Sequence, residues 1–110
     1  MKKSIDTDIG VADAELVSYF RKQNSLIVKI KAWNEVVLTF TFGDFGGLSD
    51  YGLGDISQFV EEDEMTFLLE RTLKNLYEKI PVESPYKIYQ FLNLDDNVVL
   101  EIIATTVQVD

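Results

Sequence analysis

Between Leu26 and Phe42 apolar and polar side chains alternate with a period of two. Leu26, Val28 and Ile30 fall on one side against Ile27, Lys29 and Lys31, and Val36, Leu38, Phe40 and Phe42 repeat the pattern against Val37, Thr39 and Thr41. A strand buried on one face produces this spacing, because successive side chains point to opposite sides of a sheet. Upstream, Leu16 to Lys22 is rich in Val, Tyr and Phe and stops at Gln23-Asn24-Ser25, a turn-forming cluster. Asn34-Glu35 suits a tight hairpin. The three segments predict an antiparallel meander with one buried and one wetter face. Residues 1–12, sparse in apolar anchors, are expected to form a loose arm or a short edge element.

The pattern changes at Gly43. Residues 43–54 hold five of the six glycines, interleaved with Asp44, Phe45, Leu48, Asp50 and Tyr51, and are expected to form an irregular loop. Ile56 to Val60 fits either a short strand or the start of a helix. Met65, Leu68, Leu69, Leu73, Leu76, Tyr77 and Ile80 then recur at three- and four-residue intervals, the stripe of an amphipathic helix. Pro81 ends it, lacking an N–H and disfavouring a helical residue before it. Glu61 to Glu64 at its start and Lys79 at its end match the helix dipole. After a linker from Val82 to Pro85, Tyr86 to Leu94 reads as a strand, Asp95-Asp96-Asn97 as a turn and Val98 to Val107 as a long strand. Val98, Val99, Leu100, Ile102, Ile103 and Ala104 leave it apolar on both faces, as in a central strand covered on each side. The expected fold is a single α+β domain over residues 1–110. It has an antiparallel sheet of about five strands (meander, loop, helix, hairpin) with one main helix packed across it.

Charge is unevenly placed. From Ala32 to Glu70 there are nine acidic side chains and no Lys or Arg, while the rest of the chain holds ten acids and ten bases, so this stretch accounts for the net charge of −9. Such a field attracts cationic surfaces and repels phosphates, which argues against nucleic acid as a partner. No apolar run is long enough for a membrane span. The first residues, Lys2 and Lys3 followed by polar side chains, lack the apolar core of a secretory signal, and cysteine is absent, so a cytoplasmic protein is expected.

The chain contains no His and no Cys. Histidine-assisted nucleophiles, thiol redox and zinc sites are therefore excluded, and what remains is carboxylate, Lys or Tyr chemistry and oxygen-ligated metals. A carboxylate pair from Asp44, Asp50, Asp55 or Glu61 would resemble a glycosidase's, but any acidic protein offers such pairs. Asp44, Asp50 and Asp55 could supply oxygen ligands to calcium, without the spacing of an EF-hand loop. Gly52-Leu53-Gly54 lacks the lysine of a phosphate-binding loop. No catalytic residue, metal or cofactor is assigned, and the protein is expected not to be an enzyme.

Glu61 to Glu64 alone would be an ordinary solvated helix start. The absence of any compensating base, joined to a glycine loop displaying Phe45, Leu48 and Tyr51, points instead to an interface for a basic protein: rings supply desolvated contact, and charges supply association rate and selectivity. The expected contact set is Asp44, Phe45, Asp50, Tyr51, Asp55, Glu61, Glu62 and Asp63. Phe40, Phe42, Phe67, Leu69, Tyr77, Phe91 and Trp33 are expected to be core or edge packing, and Lys29 and Lys31 the solvated side of their strand.

Ala14-Glu15-Leu16 with the meander to Phe42, and Tyr86 to Phe91 with Leu100 to Ala104, give the chain a pattern that resembles small bacterial immunity proteins of polymorphic-toxin and contact-dependent growth-inhibition systems. The segments that carry the resemblance span 40 of the 110 residues. It implies a cytosolic protein that binds a cognate toxin domain, often a nuclease, and covers its active site. It transfers no binding residue. Two further readings stand beside it: a DNA mimic that blocks a nucleic-acid-binding protein, and a structural domain that self-associates through a sheet edge.

Overall fold

The computed structural model describes residues 2–7, 9–52, 54–79 and 83–110. Among these residues there are nine strands in two antiparallel sheets and one helix, rather than one five-stranded sheet. The meander is present as expected: β2 (Glu15–Lys22), β3 (Ser25–Lys31) and β4 (Val37–Gly43) pair in sequence order, and β9 (Thr106–Val109) adds to β4. The other sheet has the order β1 (Lys2–Ser4), β6 (Gln58–Glu62), β7 (Lys87–Leu92), β8 (Val98–Ala104) and β5 (Gly47–Asp50).

The long strand expected over residues 98–107 is broken at Thr105. Its backbone N–H donates to the Gly43 carbonyl oxygen at 2.9 Å, and its hydroxyl lies 3.3 Å from the same oxygen. The chain thereby leaves one sheet as β8 and enters the other as β9. A single strand turning a corner between two sheets is how one continuous apolar run serves both layers.

The core lies between the sheets. The alternating inward residues of the meander meet those of β6, β7 and β8, and Phe40, Phe42, Phe59, Tyr89 and Phe91 form a cluster of stacked and edge-on rings. The closest centroids are 4.6 Å apart, between Phe59 and Phe91. Helix α1 (Phe67–Leu76) covers the outer face of the five-stranded sheet, where Leu68, Leu69 and Leu73 pack on Ile88 and Ile103. The strand expected to be apolar on both faces is thus β8, with Leu100 and Ile102 in the inter-sheet core and Ile103 beneath the helix.

Three expectations are corrected. Gly47–Asp50 is a strand paired with β8, not loop, and glycine is needed at its start by the helix above: a Cβ on Gly46 or Gly47 would come within 2.8 Å and 2.7 Å of the Thr72 side chain. Glu61 and Glu62 do not start the helix; they lie in β6, and Thr66 is the N-cap, its hydroxyl accepting from the Leu69 N–H. Phe67 and Trp33 are not core, being 78% and 67% exposed, and Tyr77 is exposed too. The helix is short enough that only Leu68, Leu69, Thr72 and Leu73 reach the sheet, while Phe67, Leu76 and the flanking Met65 and Tyr77 face solvent. The helix also ends earlier than expected, at Leu76, since its cap Tyr77 is already extended; the expected stop at Pro81, with Ile80 and Val82, lies outside the described residues.

Candidate partner-binding surface

Strand registers give the sandwich two poles. In the five-stranded sheet the line Gln58–Leu92–Val98 lies towards one pole, and the line Glu62–Ile88–Ile103–Gly47 lies towards the other. The second sheet is aligned with the first by two contacts. Ala14, before β2, bridges Ile56, before β6, and the Phe45 N–H donates to the Asn24 carbonyl oxygen in the β2–β3 turn at 2.8 Å. The first pole therefore gathers the β3–β4 turn, the β7–β8 turn, the segment after β5 and the approach to β2.

That pole is acidic. The registers place Asp6, Asp13, Glu15, Glu35, Asp50, Asp55, Asp95 and Asp96 there, with Lys31 the base among the described residues, held 3.4 Å from Glu15. Among these carboxylates stand exposed apolar side chains, Trp33, Val36, Val37, Tyr51 at 54% exposure and Leu94 at 87%. The turns that carry them are locally fixed. Glu35 and Asp96 adopt left-handed backbone conformations, and the Asn34 and Asn93 side-chain oxygens accept from the N–H of Val36 and of Asp95 and Asn97. Asx turns of this kind hold loop residues in place without sheet pairing.

Asp50 is the best-fixed carboxylate of the pole. Its Oδ2 accepts from the Tyr19 hydroxyl at 2.7 Å and its Oδ1 from the Gly52 N–H at 2.9 Å. The hydrogen bond to this carboxylate, followed by burial and the carboxylate's charge, raises the Tyr19 phenol above its ordinary range. A shallow groove of about 420 Å³ opens beside Val36 and Val37, with Asp6 and Asp110 as its charged walls.

The opposite pole is mixed. Asp44 accepts from the Thr105 hydroxyl at 2.8 Å, and the Phe45 ring lies under the Arg21 guanidinium at 5.8 Å. Glu61 faces Lys87 at 3.9 Å and is paired across the sheet with Lys3, while Glu62 is paired with Lys2. Asp63 follows Glu62 at this end and is exposed.

The eight residues expected to form one contact set are thus divided. Asp50, Tyr51 and Asp55 share the acidic pole; Asp44, Phe45, Glu61, Glu62 and Asp63 lie at the other, among cations. Sequence reading missed Asp6, Asp13, Glu15, Trp33, Glu35, Leu94, Asp95 and Asp96 as members of the pole. Two signals were present: the acids of the Asp95-Asp96 turn, and the placement of apolar side chains within or beside turns. The Asp44, Asp50 and Asp55 trio considered for calcium is also divided, and among the described residues no cluster of acidic side chains is placed to hold a metal ion. Among them, too, no helix is long and apolar enough to cross a membrane.

No family model, curated protein or solved structure matches this chain.

Proposed function

We propose that this protein is a non-catalytic acidic binding protein that neutralises a cognate basic protein, as an immunity protein inhibiting a toxin domain with a cationic, nuclease-like cleft. One observation carries the reading: the fold collects carboxylates from turns remote in sequence at a single pole, with exposed Trp33, Tyr51 and Leu94 among them. A nuclease cleft is positive because it must hold phosphates, and this pole offers the same charge on a protein surface. The rings and Leu94 would supply the desolvated contacts that fix the complex, and the carboxylates the long-range steering. The five residues of the expected set at the mixed pole are not retained as primary contacts, since cations already stand beside them.

The test is capture of the partner on immobilised protein, elution by salt, and assay of the eluate for nuclease activity with and without added protein. The reading expects a basic partner whose activity is suppressed in proportion to added protein. A neutral or acidic partner, or a basic one bound without inhibition, contradicts it.

A further inference from the structure

We propose that the free edge of β2 is a self-recognition edge, at which a second copy of this chain pairs antiparallel to join two four-stranded sheets into one of eight strands. β2 is the outermost strand of its sheet and has eight residues, whereas the other outer strands, β1, β5 and β9, have three or four. Ala14, just before it, is tied to Ile56 on both its N–H and its carbonyl oxygen, but among the described residues no backbone hydrogen bond joins the free side of Glu15–Lys22 to another element. An unpaired row of this length is a template for another strand.

The side chains select which strand. Glu15, Ser18, Phe20 and Lys22 lie opposite Lys31, Lys29, Ile27 and Ser25 and so face the open side of the sheet. Leu16, Tyr19 and Arg21 lie opposite Ile30, Val28 and Leu26, on the core side. Residues directly opposite across an antiparallel pair must share a face. With the two-fold axis at Tyr19, Ser18 meets the second copy's Phe20. Passing over the bulged Val17, as β3 does, Leu16 then meets the second copy's Arg21 and Glu15 its Lys22. Every pair shares a face, and Glu15 lies between its own Lys31 and the second copy's Lys22.

Bulges and edge lysines ordinarily discourage pairing with an arbitrary strand. Here the bulge recurs symmetrically and the lysine meets a glutamate, so the same devices admit a copy of this edge and reject others. The inference does not depend on the basic-partner reading, because β2 pairing runs along the side of the sandwich and shares only Glu15 with its acidic pole.

Sedimentation equilibrium of the parent, E15K, K22E and an equimolar mixture of the two variants tests it between about 1 μM and 1 mM. The parent is expected to dimerise reversibly. Each variant alone places like charges opposite each other twice, and should dimerise at least about tenfold more weakly. The mixture restores opposite charges at both pairs, and should recover dimer as a heterodimer. K22E alone suffices if E15K, which also loses the Lys31 contact, fails to fold. A parent that stays monomeric throughout, variants that dimerise like the parent, or a mixture no better than its components would each overturn the proposal.

Discussion

Two glycines show how single positions decide the outer layer. Gly46 and Gly47 let Thr72 of the helix approach the sheet closely, and Thr72 is itself buried and too short to swing aside. Gly47→Ala should therefore cost about 1–3 kcal/mol by denaturant unfolding, and Thr72→Ala should recover much of the loss in the double variant. Full additivity of the two would contradict the contact. A second residue-scale prediction concerns alkali. Burial, and then the charge of Glu61, raises the Tyr89 phenol. The folded state thus keeps that proton when the unfolded chain has lost it. Its contribution is complete below the unfolded phenol's pKa of about 10 and is lost as pH rises through the folded value. Tyr89→Phe should flatten the fall of stability above about pH 10, read as the slope of unfolding free energy against pH. An unchanged slope would assign the loss to other groups, among them the phenols of Tyr19 and Tyr86, which are also raised.

At the scale of elements, alternation made the meander legible, and the two-faced apolar run made β8 recognisable as covered on each side. Other elements were hidden for physical reasons. Glycine density suggested a loop, yet in β5 it serves the approach of a helix that cannot be located from the local sequence. The division of β8 from β9 depends on a tertiary partner, the Gly43 carbonyl oxygen, which lies across the fold. Glu101, within an apolar run, gave no sign of its role. It is buried beneath the helix start, where its carboxylate accepts from the Gln90 side-chain amide at 2.6 Å and from the Thr66 hydroxyl at 2.9 Å, while Lys2 donates to Gln90 at 2.7 Å. This chain ties β1, β7, β8 and the N-cap of α1 together. Glu101→Ala should destabilise by about 1–3 kcal/mol, since the buried Gln90 and the half-buried Thr66 lose their acceptor. Thr66→Ala should cost about 1 kcal/mol, chiefly through the cap. Calorimetric melting of both variants checks the order, and a Thr66 variant costlier than the Glu101 one would contradict it.

At the scale of the molecule, the net charge was legible in the sequence but its distribution was not. The Ala32–Glu70 stretch looked like one negative surface, yet the fold sends its halves to opposite poles. Lys2, Lys3 and Lys87 are brought beside Glu61 and Glu62, and of the acids that join Asp50 at its pole, Asp6, Asp13, Glu15, Asp95 and Asp96 come from outside the stretch. Charge counted along a chain becomes a surface only through strand register, and no register could be read across two sheets before their order was known. The central claim is accordingly narrower than the stretch: the pole bearing Asp50, Tyr51 and Asp55 is the surface that meets a basic partner. The most direct measurement is the association rate with the captured partner at low and high salt, for Asp50→Lys/Asp55→Lys and for Asp44→Lys/Glu61→Lys as the opposite-pole control. The account predicts that the first pair slows association at low salt by about tenfold or more and weakens its salt dependence, while the control stays within about twofold of the parent. Equal slowing by both pairs, or an unchanged rate for the first, would contradict it.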